Sequence, residues 1–82
     1  MTYSDVYALR IRQLCKKYDI TINRLATMSG LPQSTIDNIM RGISKNPRVK
    51  TLHKIAITFN MTLSEFLDFP ELNDFPLEEE DE

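Results

Sequence analysis

The side chains of this 82-residue chain whose types and spacing could bind a partner are amides, hydroxyls and cations. Gln33, Ser34 and Asn38 lie close together in the sequence, and their side chains can both donate and accept hydrogen bonds. Further along, the segment ISKNPRVK (residues 43–50) places three cations within a short stretch, and its Asn-Pro pair predicts a loop. These are groups that bind a partner. They do not form a catalytic constellation.

Histidine and cysteine, which often carry metal or nucleophilic chemistry, occur once each, as His53 and Cys15. One of each cannot build a metal site, and Cys15 lies on an apolar stripe where packing is its expected role. His53 is expected to be exposed, with a phosphate contact as the lesser alternative. The sequence contains no glycine-rich phosphate loop. We therefore expect no enzymatic activity, no cofactor and no metal.

The single cysteine and the hydropathy of the chain indicate where it works. One cysteine excludes an intramolecular disulfide framework and fits a reducing cytoplasm. No run approaches the roughly 18 apolar residues of a membrane span, and the opening MTYSDVYALR is not a secretion signal. We expect a cytoplasmic protein with no membrane partner.

Charge is distributed very unevenly, although the net charge is only −2. Residues 1–67 hold all ten Lys and Arg against four acids, a net +6, whereas residues 68–82 hold eight acids and no base, a net −8. A basic body with an acidic tail is typical of nucleic-acid binders. The alternative is that the tail only keeps a small protein in solution.

Residues 21–42 are predicted to form two short helices joined by a tight turn. Apolar residues recur at helical spacing in both halves: Leu25, Ala26 and Met28, then Ile36, Ile39 and Met40. Gly30 lies between them, where a sharp turn favours a positive φ that only glycine adopts without steric cost. Pro32 follows near the first turn of the second helix, where its missing N–H is tolerated. This pattern predicts a helix-turn-helix.

The other elements are also predicted to be helices. A first helix over about residues 4–17 is expected to have Ser4 as its N-cap. Its inward stripe is expected to contain Tyr7, Ile11, Leu14, Cys15 and Tyr18. A fourth helix is indicated by Val49, Leu52, Ile55, Ala56 and Phe59, with Asn60 as a left-handed stop. Thr62 and Glu65 stand in the capping-box arrangement and open a short fifth helix, which Pro70 ends.

The expected fold is therefore all-α, a compact five-helix domain over residues 1–69 followed by an acidic tail over residues 70–82. Two prolines and the spacing of the acids favour extended structure in the tail, with residues 77–82 disordered. The alternative is that Phe69, Leu72 and Phe75 pack on the body or across a dimer interface.

The ordered series of landmarks resembles the phage-repressor class of helix-turn-helix domains, which includes lambda repressor and Cro-like proteins. The resemblance covers residues 9–67 and rests on Leu25-Ala26, Gly30-Leu31, Ile36, Ile39, Arg41-Gly42, Asn46-Pro47, Leu52, Ile55-Ala56, Leu63 and Phe66-Leu67. It implies a five-helix fold that binds double-stranded DNA, usually as a symmetric homodimer. It further implies a transcriptional regulator, typically a repressor, that is encoded by a bacterium or phage and associated with the nucleoid.

The resemblance also implies roles for individual side chains. The second helix of the motif lies in the major groove, and Gln33, Ser34 and Asn38 occupy its outward, base-reading positions. Asn and Gln can pair bidentately with adenine, so a site with some A·T content is expected. The side chains expected to contact phosphates are Thr21, Asn23, Thr35, Lys45, Asn46 and Arg48. Asp37 is expected to be solvated, or to repel wrong registers.

Two departures from the family pattern bear on these expectations. Ile22 stands where many relatives carry a phosphate-binding glutamine, which puts one phosphate contact in doubt. Cys15 and Met40 stand where many relatives carry an Arg and a Glu that pair in the interior. Because both partners are apolar here, we predict that Cys15 and Met40 touch and that the fold is intact.

Two other functions fit the same fold. One is an antitoxin-like protein-interaction module whose acidic tail recognises a protein partner. The other is a controller subunit of a mobile element or restriction system. Salt-dependent, sequence-selective duplex binding separates the regulator and the controller from the interaction module. A further hypothesis is that the tail competes with DNA for the basic body, since it is tethered at high effective concentration.

Overall fold

Six α-helices make up most of residues 1–77, the part of the chain that the structure, a computed structural model, describes. They are α1 (Tyr3–Tyr18), α2 (Ile22–Ser29), α3 (Gln33–Met40), α4 (Val49–Thr58), α5 (Leu63–Leu67) and α6 (Pro70–Asn73). The all-helical fold is confirmed, with one short helix more than the five expected. The expectation of disorder for residues 77–82 lies outside the described residues from 78 onward. No helix between residues 1 and 77 is long and apolar enough to cross a membrane.

The first helix begins earlier than expected. Its N-cap is Thr2, whose side chain accepts from the Asp5 amide while the Asp5 carboxylate accepts from the Thr2 amide. The same Thr2 backbone N–H lowers the pKa of Asp5, because it stabilises the charged carboxylate. The prediction that Ser4 caps the helix is therefore wrong, and Ser4 instead lies buried in its first turn.

The core is formed where the first five helices meet. Its buried members are Ile11, Leu14, Cys15, Leu25, Ala26, Ile36, Ile39, Leu52, Ile55, Ala56, Phe59 and Phe66. The predicted inward stripe of α1 is confirmed except at Tyr18, which is 48% exposed beside Phe59. Val49 was also expected to face inward, but it is 63% exposed because it lies at the very start of α4. Met40 packs against this core, and its contact with Cys15 stays a prediction.

The start of the acidic tail is folded onto the body. Residues 70–73 form α6, so the expectation of extended structure there is wrong; the fifth helix does end before Pro70, at Leu67, and Pro70 then begins a new helix. Pro70 occupies the first turn of a helix, where its missing N–H costs nothing. Phe69 is 2% exposed, and the Phe75 ring packs edge-on against Tyr3 with their centroids 4.8 Å apart. Burial of these rings supplies the apolar contact that favours a folded segment.

Arg10 joins α1 to the C-terminal helices. Its guanidinium donates to the carbonyl oxygens of Phe66 and Glu65, each at 2.9 Å. The same group lies over the Phe69 ring, 4.9 Å from the ring centroid. The last carbonyls of a helix have few backbone donors, so the Arg10 guanidinium supplies a donor to Phe66 and a second one to Glu65, whose carbonyl also accepts from the Asp68 amide at 3.3 Å. Arg10 is therefore a structural cation.

Candidate nucleic-acid interface

The α3 helix presents one buried face and one polar face. Ile36 and Ile39 are at most 1% exposed and fix the helix against the core. Gln33, Ser34 and Asn38 are all exposed on the other side. The three expected base-reading side chains therefore share one accessible surface of a helix whose opposite face is immobilised by packing.

The turn before α3 matches the pattern in the sequence. Gly30 is the C-cap of α2 with a φ of 74°, in the left-handed region where glycine carries no Cβ penalty. Pro32 is the N-cap of α3, and no side chain caps that end. The first amides of a helix have no acceptor inside it, so the start of α3 keeps hydrogen-bond donors for an external group.

The other end of α3 is tied to α1. The Ser4 hydroxyl donates to the Ile39 carbonyl at 2.9 Å in a fully buried contact. Arg12 donates to the Met40 carbonyl at 3.3 Å and places a cation at the negative end of the helix dipole. These two bonds connect residues 35 and 28 positions apart in the sequence. They hold the C-terminal end of α3 while its N-terminal end stays open.

The loop after α3 starts from a second left-handed glycine. Gly42 has a φ of 74°, and a Cβ placed there would lie 2.9 Å from the Asp5 carboxylate. The Asn38 carbonyl then accepts from the amides of Ile43 and Ser44, at 2.9 and 3.1 Å. The backbone of Asn38 thus orients the loop, while its side chain remains exposed on the outer surface.

This loop and α3 enclose a shallow concavity that combines several of the expected site residues. Thr35 and Asn38 line it from α3, and Asn46 and Arg48 line it from the loop. Ser44 and Thr51, which the sequence analysis did not select, add two hydroxyl groups to the same wall. Lys45 is exposed next to this concavity but does not line it. The arrangement offers amides, hydroxyls and a guanidinium to one anionic group.

Thr21 and Asn23 lie apart from that concavity, at the start of α2. Thr21 is the N-cap of α2, and its hydroxyl oxygen accepts from the Arg24 amide at 3.0 Å. Asn23 is exposed in the first turn. Its side chain and the first amides of α2 are therefore accessible to a phosphate, whereas the Thr21 oxygen already has one partner.

Asp37 is engaged with a neighbour on its own helix. The Gln33 amide nitrogen donates to the Asp37 carboxylate at 3.0 Å, one helical turn away. Since a carboxylate only accepts, this contact turns the amide nitrogen of Gln33 toward Asp37. Asp37 is partly buried and its bond to Gln33 is open to solvent, so its expected solvation or repulsive role stays a prediction.

The helices divide into two groups by the charge at their starts. The first turns of α1, α5 and α6 carry Asp5, Glu65 and Glu71, respectively. The first turns of α2, α3 and α4 carry no acid at all. A helix start has a partial positive charge and stabilises anions. The starts of α2 and α3, which bear expected site residues, and of α4, which directly follows Arg48, thus have no acid in their first turns.

Other chemistry finds no support among residues 1–77. No three His, Cys, Asp or Glu side chains in that range are grouped to hold a metal ion. Cys15 is buried, and burial raises the pKa of its thiol, which keeps it protonated and unreactive. His53 is exposed, as predicted.

Comparison with known proteins identifies this arrangement. The sequence profile described as helix-turn-helix matches residues 11–66, from the middle of α1 to the end of the core in α5. The chain belongs to the Cro/C1-type helix-turn-helix family. Members of this family are DNA-binding transcription regulators and are generally not enzymes. The resemblance seen in the sequence is confirmed.

Two relatives come from Bacillus subtilis (strain 168). The chain is 38% identical over 58 residues to the HTH-type transcriptional regulator SlrR, across 71% of this chain but only 38% of SlrR. It is 27% identical over 59 residues to YopS, an SPbeta prophage-derived uncharacterized HTH-type transcriptional regulator, across 72% of this chain and 80% of YopS. The chain therefore spans well under half the length of SlrR and most of the length of YopS.

A solved structure shares the fold. The crystal structure of the prophage Lp1 protein 11 superposes with a TM-score of 0.81 at 34% identity, covering 89% of this chain and 96% of that one. This agreement extends beyond the matched helix-turn-helix region, which leaves out the first residues of α1 and all of α6.

The contacts that support the helix-turn-helix were mostly invisible in the sequence. Ser4 and Arg12 hold α3 across more than 25 intervening residues, and no local pattern pairs them with Ile39 or Met40. The true cap of α1 did leave a signal, because Thr2 and Asp5 stand in the spacing of a capping box. Ser44 and Thr51 could have been selected as hydroxyls that flank the basic loop.

Proposed function

We propose that this chain binds double-stranded DNA in a sequence-specific manner, with α3 in the major groove, and regulates transcription. One observation carries the proposal. Gln33, Ser34 and Asn38 lie exposed together on α3, whose other face and C-terminal end are fixed by the core and by α1. A reading helix needs such rigid support, because bidentate base contacts tolerate little displacement.

Base reading would start with Gln33. Its contact with Asp37 uses one N–H of the carboxamide and leaves the other N–H and the carbonyl oxygen for a base. That remaining pair matches the acceptor and donor of adenine in the major groove. Asn38 offers the same chemistry one turn further along α3, and Ser34 can donate or accept. We therefore propose that the half-site contains at least one A·T pair.

Phosphate contacts would flank this helix. On one side are Thr21, Asn23 and the first amides of α2. On the other side are Thr35 and the loop residues Lys45, Asn46 and Arg48, three of which line the same concavity. The acid-free starts of α2, α3 and α4 favour phosphates at these places. These contacts would fix register and supply salt-dependent affinity.

We further propose that the protein acts as a homodimer and represses transcription. One recognition helix contacts too few bases to select an operator, and two-fold pairing of such modules doubles the site. A dimer bound at a promoter occupies the DNA that the transcription machinery needs.

The antitoxin-like alternative receives less support. It needs the hydrophobic residues of the tail to be available to a protein partner. Phe69 is buried and Phe75 packs on Tyr3, so both side chains already serve the fold of this chain.

Selection of bound sequences from a random duplex library tests the proposal. At physiological salt we expect an enriched motif with two-fold symmetry, and its half-site spacing gives the dimer geometry. Gln33→Ala should lose the preference at one base position only. Arg48→Gln should weaken all duplexes and lower the salt slope by about one. Lys17→Gln on α1 is the matched control, and it should leave the base preference and the salt slope unchanged.

A folded protein that enriches no sequence would overturn the proposal. If duplex binding depended on salt but showed no sequence preference, the proposed base contacts would be contradicted and only the phosphate contacts would stand. A motif without two-fold symmetry would remove the homodimer.

A further inference from the structure

The acidic tail leaves the body at Phe75, close to the loop after α3 that is proposed to contact phosphates. The Phe75 ring is held against Tyr3 on α1. Tyr3 and Tyr7 in turn line a shallow concavity together with Asn46 and Pro47 of the loop after α3. The chain is therefore fixed beside the loop expected to contact phosphates, three residues before a run of five consecutive acids at positions 78–82.

We propose that residues 78–82 dock on the basic loop at Lys45, Arg48 and Lys50 and occupy the phosphate-binding positions when no DNA is bound. The inference rests on the proposed function, since it names what regulates that same surface. The occupant is a segment of the same chain, and its chemistry, a run of carboxylates, mimics the anionic backbone of a duplex.

Reach and charge support this occupant. An extended chain spans about 3.3–3.6 Å per residue, so a segment starting at Phe75 reaches about 17 Å by residue 80. Lys45 and Arg48 flank Asn46 and Pro47, the two loop residues that share a concavity with Tyr3. All three cations are exposed, and the sequence from residue 68 to residue 82, which includes the five acids, contains no Lys or Arg. Opposite charges within about 10 Å attract measurably at moderate salt.

The anchor makes the contact efficient. Because Phe75 is seated on Tyr3, the tether between anchor and acids is only a few residues long. A short tether gives a high effective concentration, commonly millimolar, so weak ion pairs can compete with weakly held DNA. Specific DNA makes base contacts in addition and displaces the tail. The tail would thus lower non-specific binding more than operator binding.

The test compares three full-length variants for binding to a mixed-sequence duplex. The first replaces the acids, as E78Q/E79Q/E80Q/D81N/E82Q. It should bind about tenfold tighter near 50 mM salt and less than about twofold tighter near 300 mM, because salt screens the tail as well as the duplex. The second, Phe75→Ala, keeps every charge but frees the anchor, and should bind about threefold tighter. The third, Leu77→Ala, changes a 79%-exposed side chain and should bind as the parent does.

The Phe75→Ala variant separates docking from net charge. If the tail acted only through its overall negative charge, Phe75→Ala would bind as the parent does, and that result would overturn the proposal. The melting temperature of each variant shows that the body stays folded.

A measurement without DNA separates this inference from the proposed function. In the free protein, backbone amide shifts of Lys45, Asn46 and Arg48 should differ between the parent and the neutralised variant, and the difference should vanish at high salt. Identical shifts would overturn the docking. Shifts that grow with protein concentration would assign the occupant to a second copy, and would also overturn it. If these shifts appear but no variant binds a duplex, the docking stands and the proposed function fails.

Discussion

The six helices fall into two groups, those with an acidic residue in the first turn and those without one. The supporting helices α1, α5 and α6 each place an acid in the first turn, and in α1 and α5 that acid completes a capping box. The helices α2 and α3, which carry residues of the proposed site, and α4, whose N-cap is Arg48, place none there. An acid in the first turn stabilises a helix by about 0.3–1 kcal/mol. Three helices forgo this stabilisation.

The difference supports the proposal that phosphates lie at the starts of α2, α3 and α4. Where the chain supplies its own carboxylate, the helix start is satisfied and serves the fold alone. Where it does not, the amides and the dipole remain available to an external phosphate. The same division appears within α3, since its C-terminal end is hydrogen-bonded to α1 and its N-terminal end has no side-chain cap.

The largest expected effect comes from adding an acid to the start of α3. Ser34→Glu should stabilise the fold by about 0.3–1 kcal/mol, because the carboxylate complements the helix dipole. It should also weaken duplex binding by about a hundredfold or more, because that carboxylate meets phosphates and base acceptors. Urea denaturation and a binding titration give the two quantities.

The same substitution on a supporting helix is the control. Ser64 occupies the corresponding second position of α5, is exposed, and lies next to the Glu65 of the capping box. Ser64→Glu should leave duplex binding within about twofold of the parent, as expected for a rim charge at most. Equal losses in the two variants would contradict the division between the helix groups.

The next effect concerns the support that α1 gives to α3. Ser4→Ala removes the side-chain donor to the Ile39 carbonyl, which keeps the Gly42 amide as its other donor, and should lower the free energy of unfolding by about 0.5–1.5 kcal/mol. Ser34→Ala removes an exposed hydroxyl from α3 itself and should change the free energy of unfolding by less than about 0.5 kcal/mol. Chemical denaturation measures both. Similar values would show that the buried bond does not hold the helix.

Replacing Gly42 by alanine should lower the free energy of unfolding by about 1 kcal/mol more than replacing Gly30, the other glycine turn next to α3. Both positions have a φ of 74°, so each alanine has the left-handed cost of about 1–2 kcal/mol. At Gly30 a Cβ meets no atom within 4 Å, whereas at Gly42 it meets the Asp5 carboxylate at 2.9 Å. Gly42→Ala therefore also disturbs the capping box of α1, at about 1 kcal/mol.

A double-mutant cycle isolates that extra term. In an Asp5→Ala background the capping box is already lost, so the difference between Gly42→Ala and Gly30→Ala should disappear. If it persists, the cost arises elsewhere in the turn.

The smallest effect is at Asp37. Asp37→Ala should change stability by less than about 0.5 kcal/mol, since the bond to Gln33 is exposed and lies within one helix. It should nevertheless broaden the base preference at the position that Gln33 reads, because the carboxamide is no longer held in one orientation. Repeating the sequence selection with this variant measures the change. An unchanged preference would remove Asp37 from the reading mechanism.

Local signals predicted the helix-turn-helix well. Gly30 and Asn60 adopt a positive φ where a turn and a left-handed stop were predicted, and the Thr62–Glu65 pair caps a helix as expected. Each of these depends on neighbours within a few positions, which a sequence displays directly. The base-reading and phosphate-contacting roles of the site residues stay predictions that came from the family resemblance.

Long-range contacts escaped the sequence analysis. Arg10 and Ser4 each bond to a partner more than 30 positions away, so no local pattern predicts either contact, and the position of Ser4 alone indicated a cap. Pro70 is ambiguous for a different reason, because proline both ends helices and begins them. Packing of Phe69 and Phe75 on α1 decides between the two.

The most direct test of the proposed surface is to map backbone amide shifts while the protein is titrated with a mixed-sequence duplex of about 20 base pairs. A mixed sequence is sufficient, because the phosphate contacts do not depend on a matched base sequence. The proposal expects the largest changes at residues 21–23, 33–38 and 44–51. It expects none in the apolar groove formed by Met28, Lys54 and Ile57 on the neighbouring face of α2 and α4. Changes concentrated in that groove, with α3 unaffected, would contradict α3 as the DNA-reading helix.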